Sequence, residues 1–180
     1  MGVSIKHIRH QGPLLGSFGR MTAAAVASEW RARQGSQGPI TPPTVPGPEH
    51  TAVVPPRPPD LVRDYLRLVG GDPSAWRGRL PAHLFPQWGA PLLGACLLDT
   101  PYPLARVLNA GCRMQMNAPI PADQSLHCSA RLSRVDDDGR RAVVGARFVT
   151  ETATSPEALV VDFNSIFPLA SGADRGPSDA

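Results

Sequence analysis

The chain holds a single lysine, Lys6, among its 180 residues; the rest of its positive charge is arginine, and the formal balance is only +3. No arginine run is dense or interleaved with aromatics, which argues against a nucleic-acid surface. Arginine does suit phosphates and carboxylates, through its planar fork. No apolar run approaches the roughly 18 to 20 residues of a membrane-crossing helix. Cysteine is sparse: Cys96, Cys112 and Cys128 are well separated, and neither Cys-x-x-Cys nor His-x-x-x-His spacing occurs, so no metal site is expected. Each cysteine falls on the apolar face of its segment, which reads as reduced core thiols in a cytosolic protein. Residues 1 to 28 lack acidic side chains, and Ala25-Val26-Ala27 resembles a peptidase site. Gly16, Gly19 and Arg20 nevertheless interrupt the apolar core that a secretory signal needs. An alternative start at Met21 is open.

What is present is one domain's worth of apolar residues, 42% of the chain, and 21 prolines, many of them between Pro39 and Pro59. That clustering marks a linker, Gly35 to Pro59, and residues 1–50, an N-terminal arm with the first part of that linker, are expected to be dispensable for folding. In the arm, Thr22 to Arg33 suits a short helix capped by Thr22. Thr51 to Val54 reads either as a short edge strand or as extended coil between prolines. Asp60 is a helix N-cap; Leu61, Tyr65, Leu68 and Val69 share one face of the helix that follows, and Gly70-Gly71 ends it. From Ala90 to Leu98 the chain is apolar on every side, and a helix apolar all round is buried all round. Pro91 fits its first turn.

Everything after that helix alternates. Leu108, Ala110, Cys112, Met114, Met116 and Ala118 share one strand face. Leu126, Cys128, Ala130 and Leu132 share the next, and Ala142, Val144, Ala146 and Phe148 a third. Asp136-Asp137-Asp138-Gly139 is a hairpin turn, a last strand spans about 158–167, and residues 170–180 read as a disordered tail. The expected class is α+β: an antiparallel sheet wrapped around a buried central helix, spanning residues 51–169.

The stretch Gly71-Asp72-Pro73-Ser74-Ala75-Trp76-Arg77, followed by Trp88-Gly89 ahead of the apolar helix, resembles the MaoC-like acyl dehydratases, or R-specific enoyl-CoA hydratases, of the hot-dog fold. That family carries Gly-Asp-x-Asn-Pro-x-His and then His-Gly at the central helix. The resemblance covers roughly residues 50 to 169 and rests more on element order than on an intact motif. It implies a single hot-dog domain and an acyl-CoA or acyl-carrier thioester as ligand, with no cofactor. It also implies pairing as a homodimer, or as a heterodimer with a second hot-dog chain. In the family an aspartate and a histidine hold the water that adds across an enoyl thioester, and backbone N–H groups at the helix start stabilise the oxyanion. Carried over, Asp72 matches the aspartate and Gly89 the oxyanion glycine, but Arg77 stands at the histidine position and cannot cycle a proton.

Two readings stand for each remaining candidate. His83 is a relocated catalytic partner or a surface histidine. Asp72 is a catalytic carboxylate or a turn aspartate bonding nearby amides. Trp76, Phe85 and Trp88 are walls of an acyl tunnel or core packing around the helix. Arg77 and Arg79 hold coenzyme A phosphates or form a solvated loop face. The missing histidine makes the chain resemble the non-catalytic first unit of a paired hydratase. Rival readings are an active hydratase with an altered Asp/His pair, a purely structural subunit, and a hot-dog thioesterase, for which Asp99 lies at the wrong end of the helix.

Overall fold

A computed structural model describes His7, residues 12–33 and residues 40–169. The elements run α1 (Gly12–Arg33), β1 (His50–Val54), α2 (Pro59–Leu68), β2 (Arg79–Leu80), α3 (Pro86–Leu98), β3 (Leu108–Met116), β4 (Ile120–Pro121), β5 (Leu126–Asp137), β6 (Arg141–Thr152) and β7 (Ser155–Pro168). The main sheet is fully antiparallel, in the order β1-β5-β6-β7-β3, and β2 pairs with β4 in a separate ribbon. Thr51 to Val54 is therefore an edge strand, paired to β5, not free coil.

The period-2 pattern translates directly into burial. Leu126, Cys128, Ala130 and Leu132 of β5, and Ala142, Val144, Ala146 and Phe148 of β6, are all buried on the face turned to α3. Helix α3 packs on that face and buries Trp88, Gly89, Leu92, Leu93, Gly94, Cys96 and Leu97 between the sheet and its other neighbours. It begins at Pro86, four residues before the expected start. Pro86 opens the first turn at no hydrogen-bond cost, which leaves Pro91 inside the helix and not in its first turn. Burial holds the Cys96 thiol up at about 12 and Cys128 up at about 11, so both are inert core thiols.

Strand β3 departs from the alternation read in the sequence. Its residues are exposed on both faces, because among the described residues β3 is the far edge strand and pairs only with β7. An extra residue also enters between Asn109 and Cys112, where Gly111 has φ of +93° and its N–H donates to Asn109 Oδ1 at 2.7 Å. The bulge reverses the facing of Leu108 relative to Met114, so the six residues expected on one face are split. Cys112 is accordingly an exposed thiol, not a core one.

The face of α3 away from the sheet is covered by α1, which begins ten residues before the expected Thr22 cap. Helix α1 crosses α3 at Gly94, where an added Cβ would lie 2.7 Å from Ser17 Oγ and 3.0 Å from Met21 Sδ. Ser17 is buried there. This close packing sustains a helix through Gly16 and Gly19 despite their poor propensity. His7 also meets Asp64 of α2 at 3.0 Å, and Arg106 approaches Glu29 at 3.7 Å. The arm is thus built onto the domain, contrary to its expected dispensability. Deleting residues 1–33 should lower the melting temperature by several degrees, since each 1 kcal/mol shifts a domain of this size by about 2–4 °C. An unchanged thermal transition would contradict the packing role. The expected disorder of residues 170–180, and linker residues 34–39, lie outside the described residues.

Candidate functional site

A cleft of about 860 Å³ opens beside α2. Its walls come from three separate segments: the proline run before α2, α2 itself, and the loop from Asp72 to Arg79, with Ala122 and Asp123 closing one end. Local chemistry fixes each wall. Gly70, at φ of +77°, ends α2, with its N–H on Arg67 O and the Gly71 N–H on Leu66 O at 2.8 Å. Asp72 then caps a short 3₁₀ turn, Pro73–Trp76. Its carboxylate accepts from the Ser74 N–H at 2.8 Å and from Ser74 Oγ at 2.6 Å. Gly78, at φ of +70°, turns the chain into β2. The Ala122 N–H donates to Gly78 O at 3.0 Å, and the Arg57 N–H to Ala122 O at 2.8 Å, which ties the proline run to the ribbon.

Five arginines line the cleft: Arg57, Arg63, Arg67, Arg77 and Arg79. Four of them are exposed, and Asp72 and Asp123 are the acidic residues among the lining. Arg57 is buried, 8% exposed, and burial lowers its pKa from the ordinary guanidinium value. The two hydrogen bonds from Ser74 hold the Asp72 carboxyl below the usual carboxylate range, so it is ionised and committed at neutral pH. Between the arginines, Val62, Leu66, Trp76 and the prolines supply apolar wall. A cleft of this size and lining can take an apolar chain carrying anionic groups.

No protein-family model matches the chain, and no curated protein matches it. Solved structures do. HtdX of Mycobacterium tuberculosis superposes with a TM-score of 0.54 at 14% identity, over 66% of this chain and 51% of HtdX, so the chain spans about half of that protein. The C-terminally truncated HadBC (3R-hydroxyacyl-ACP dehydratase) complex from M. tuberculosis gives 0.52 at 13% identity, over 69% of this chain and 98% of the other. The ChsH1-ChsH2 complex from M. tuberculosis gives 0.50 at 12% identity, over 91% and 99%. The chain has the hot-dog fold.

Within this hot-dog domain the residues singled out from the sequence fall into three places. Asp72, Trp76, Arg77 and Arg79 line the cleft. Phe85, Trp88 and Gly89 do not; they are core. Phe85 and Phe148 pack with ring centroids 6.1 Å apart, and Trp88 Nε1–H donates to buried Thr150 Oγ1 at 3.0 Å. Gly89 is required by space: an added Cβ would sit 2.9 Å from Phe85 Cδ2 and 3.1 Å from Phe148 Cζ. Its N–H, the expected oxyanion donor, is spent on Phe85 O at 2.7 Å, because α3 starts earlier and places Gly89 inside the first turn. His83 stands apart from both groups. It is exposed, its ring lies 5.5 Å from Tyr65 and edge-on to Trp76 at 6.3 Å, and it makes no hydrogen bond to Asp72.

Two Asp–His contacts do occur among the described residues, His7–Asp64 at 3.0 Å and His50–Asp99 at 2.6 Å, and neither lines the cleft. Arg57, Arg63 and Arg67 were not marked by the sequence reading as site residues. Signals for them existed: Arg63 and Arg67 are four apart on the polar face of α2, and Arg57 is the one charge inside Pro55-Pro56-Arg57-Pro58-Pro59. Among the described residues no group of three or more His, Cys, Asp or Glu is placed to hold a metal, and no helix is long and apolar enough to cross a membrane.

Proposed function

We propose that this hot-dog chain is a MaoC-like acyl-thioester-binding subunit that acts in the cytoplasm as the non-catalytic partner of an enoyl-CoA hydratase or acyl dehydratase. One observation carries the reading: among the described residues the arginine-rimmed cleft is lined by Asp72 but by no histidine that could share a proton with it. Asp72 is engaged by Ser74, Arg77 stands in the chain where the resemblance puts the histidine, and His83 is outside the cleft lining and makes no hydrogen bond to Asp72. The exposed arginines at the rim suit the phosphates of coenzyme A or of an acyl carrier, while Trp76, Val62 and Leu66 suit an acyl chain. HadBC, of similar fold, is a 3R-hydroxyacyl-ACP dehydratase, which agrees with a thioester ligand. The test is a double charge reversal, Arg77→Glu with Arg79→Glu. Binding of an acyl-CoA to the intact chain should weaken at least about tenfold, as expected for charge-assisted bonds; unchanged affinity would remove the cleft from the account.

The partner surface proposed here is β3. It is a nine-residue edge with Met114, Met116 and Leu108 exposed at 43%, 42% and 56%, and such an edge is a template for strand pairing. Its partner is a second hot-dog chain, a copy or a homologue, whose β3 would continue the sheet. Two of the similar structures are complexes by name. In light scattering the chain, alone or with its partner, should behave as a pair. Met114→Lys with Met116→Lys should return it to a monomer. Cys112 provides a second readout: association should slow its reaction with a thiol reagent, while buried Cys96 and Cys128 react only after unfolding. A stable monomer with fully reactive Cys112 in the presence of candidate partners would contradict this.

A further inference from the structure

Arg57 is the one cleft residue whose charge the fold does not explain. Its side chain is 8% exposed and its Nε is buried without any hydrogen-bond partner. Among the described residues no carboxylate reaches the guanidinium. The nearby Cys128 does not serve either, since its thiol stays protonated at neutral pH. A buried, unpaired cation is costly and is normally kept only where something compensates it. Here the cation lines a cleft whose neighbouring walls are Pro56, Pro58, Val62, Leu66 and Trp76. An anion brought by a ligand would compensate it.

Charge arithmetic selects the anion. A phosphate monoester carries about −1.5 to −2 at neutral pH and would leave uncompensated negative charge against the apolar walls. A carboxylate carries one charge, matches the guanidinium fork in a bidentate pair and cancels it. Phosphates are already provided for by exposed Arg63, Arg67, Arg77 and Arg79 at the rim. We infer that Arg57 forms an internal carboxylate site, so that the preferred ligand is a thioester whose acyl chain ends in a carboxylate. The inference rests on the acyl-thioester reading above and sets the class of acyl group.

The experiment is a calorimetric titration of the full chain with matched pairs: succinyl-, glutaryl- and adipyl-CoA against butyryl-, valeryl- and hexanoyl-CoA, with free coenzyme A as a further arm. The best carboxylated member should bind about 10- to 100-fold more tightly than its uncharged match, the range for hydrogen bonds to charged groups. Arg57→Met should erase that difference by weakening only the carboxylated series. Because it removes an unpaired buried charge, the same variant should melt at a higher temperature than the parent, which also shows that it folds. Equal affinity within every pair overturns the carboxylate site and leaves the acyl-thioester reading standing. So does a preference that survives Arg57→Met, whereas coenzyme A binding as tightly as its thioesters overturns both readings. Failure of both series to bind overturns the acyl-thioester reading and this inference with it.

Discussion

Replacing Trp88 with alanine should lower the unfolding free energy by about 3–5 kcal/mol, the range for deleting a large buried aromatic. Trp88 is 2% exposed between α3 and the sheet. Two losses combine: the ring leaves a cavity in a close-packed core, and Thr150, fully buried, loses the indole N–H on its Oγ1. Trp88→Phe separates them. It retains most of the volume but removes the indole donor from Thr150 Oγ1, whose hydroxyl keeps its bond with Cys128, at about 0.5–1.5 kcal/mol. Urea unfolding, with midpoints compared at constant slope, reads both. A tunnel wall would behave differently, weakening ligand binding with little change in stability. A loss under about 1 kcal/mol for Trp88→Ala would return the residue to the ligand site.

The second large effect is kinetic. The purified chain should hydrate trans-2-enoyl-CoA at least about 10²- to 10⁴-fold more slowly than an enzyme with an intact acid–base pair. Water addition needs a base for the water and a proton for the α-carbon. Asp72 is ionised, and the two hydrogen bonds from Ser74 lower its pKa and so make it a weaker base. Arg77 stays cationic, and the Gly89 N–H already has its acceptor. Asp72→Asn and His83→Ala should therefore leave the residual rate unchanged. A turnover near the enzyme median of about 10 s⁻¹, abolished by either substitution, would make the chain an active hydratase.

How legible this molecule is from its sequence depends on the range of the forces involved. The inner faces of β5 and β6 were readable because a two-residue period and one-sided burial leave few alternatives. The turn role of Asp72 was readable as one of two options, since Gly-Gly before it and Pro73 after it act locally. Periodicity failed on α2. It favoured Leu68 and Val69, which are 71% and 51% exposed, over Val62 and Leu66, which are buried, because the last turn runs out into solvent where the helix ends. The bulge at Gly111 and the glycine-containing first half of α1 depend on partners distant in the chain, β7 and α3. The arginine cleft was least legible. Arg57, Arg63 and Arg79 lie on three segments, and the β2–β4 ribbon and the Arg57–Ala122 bond help to bring them together.

The central claim is binding without turnover, and one sample tests both halves. A trans-2-enoyl-CoA is titrated into the full chain in a calorimeter, and the same mixture is followed by the absorbance of the enoyl thioester. The account predicts saturable heat, lost in the Arg77→Glu, Arg79→Glu double variant, with absorbance that stays flat over hours. No heat at any concentration, or heat accompanied by steady loss of the enoyl absorbance, would contradict it.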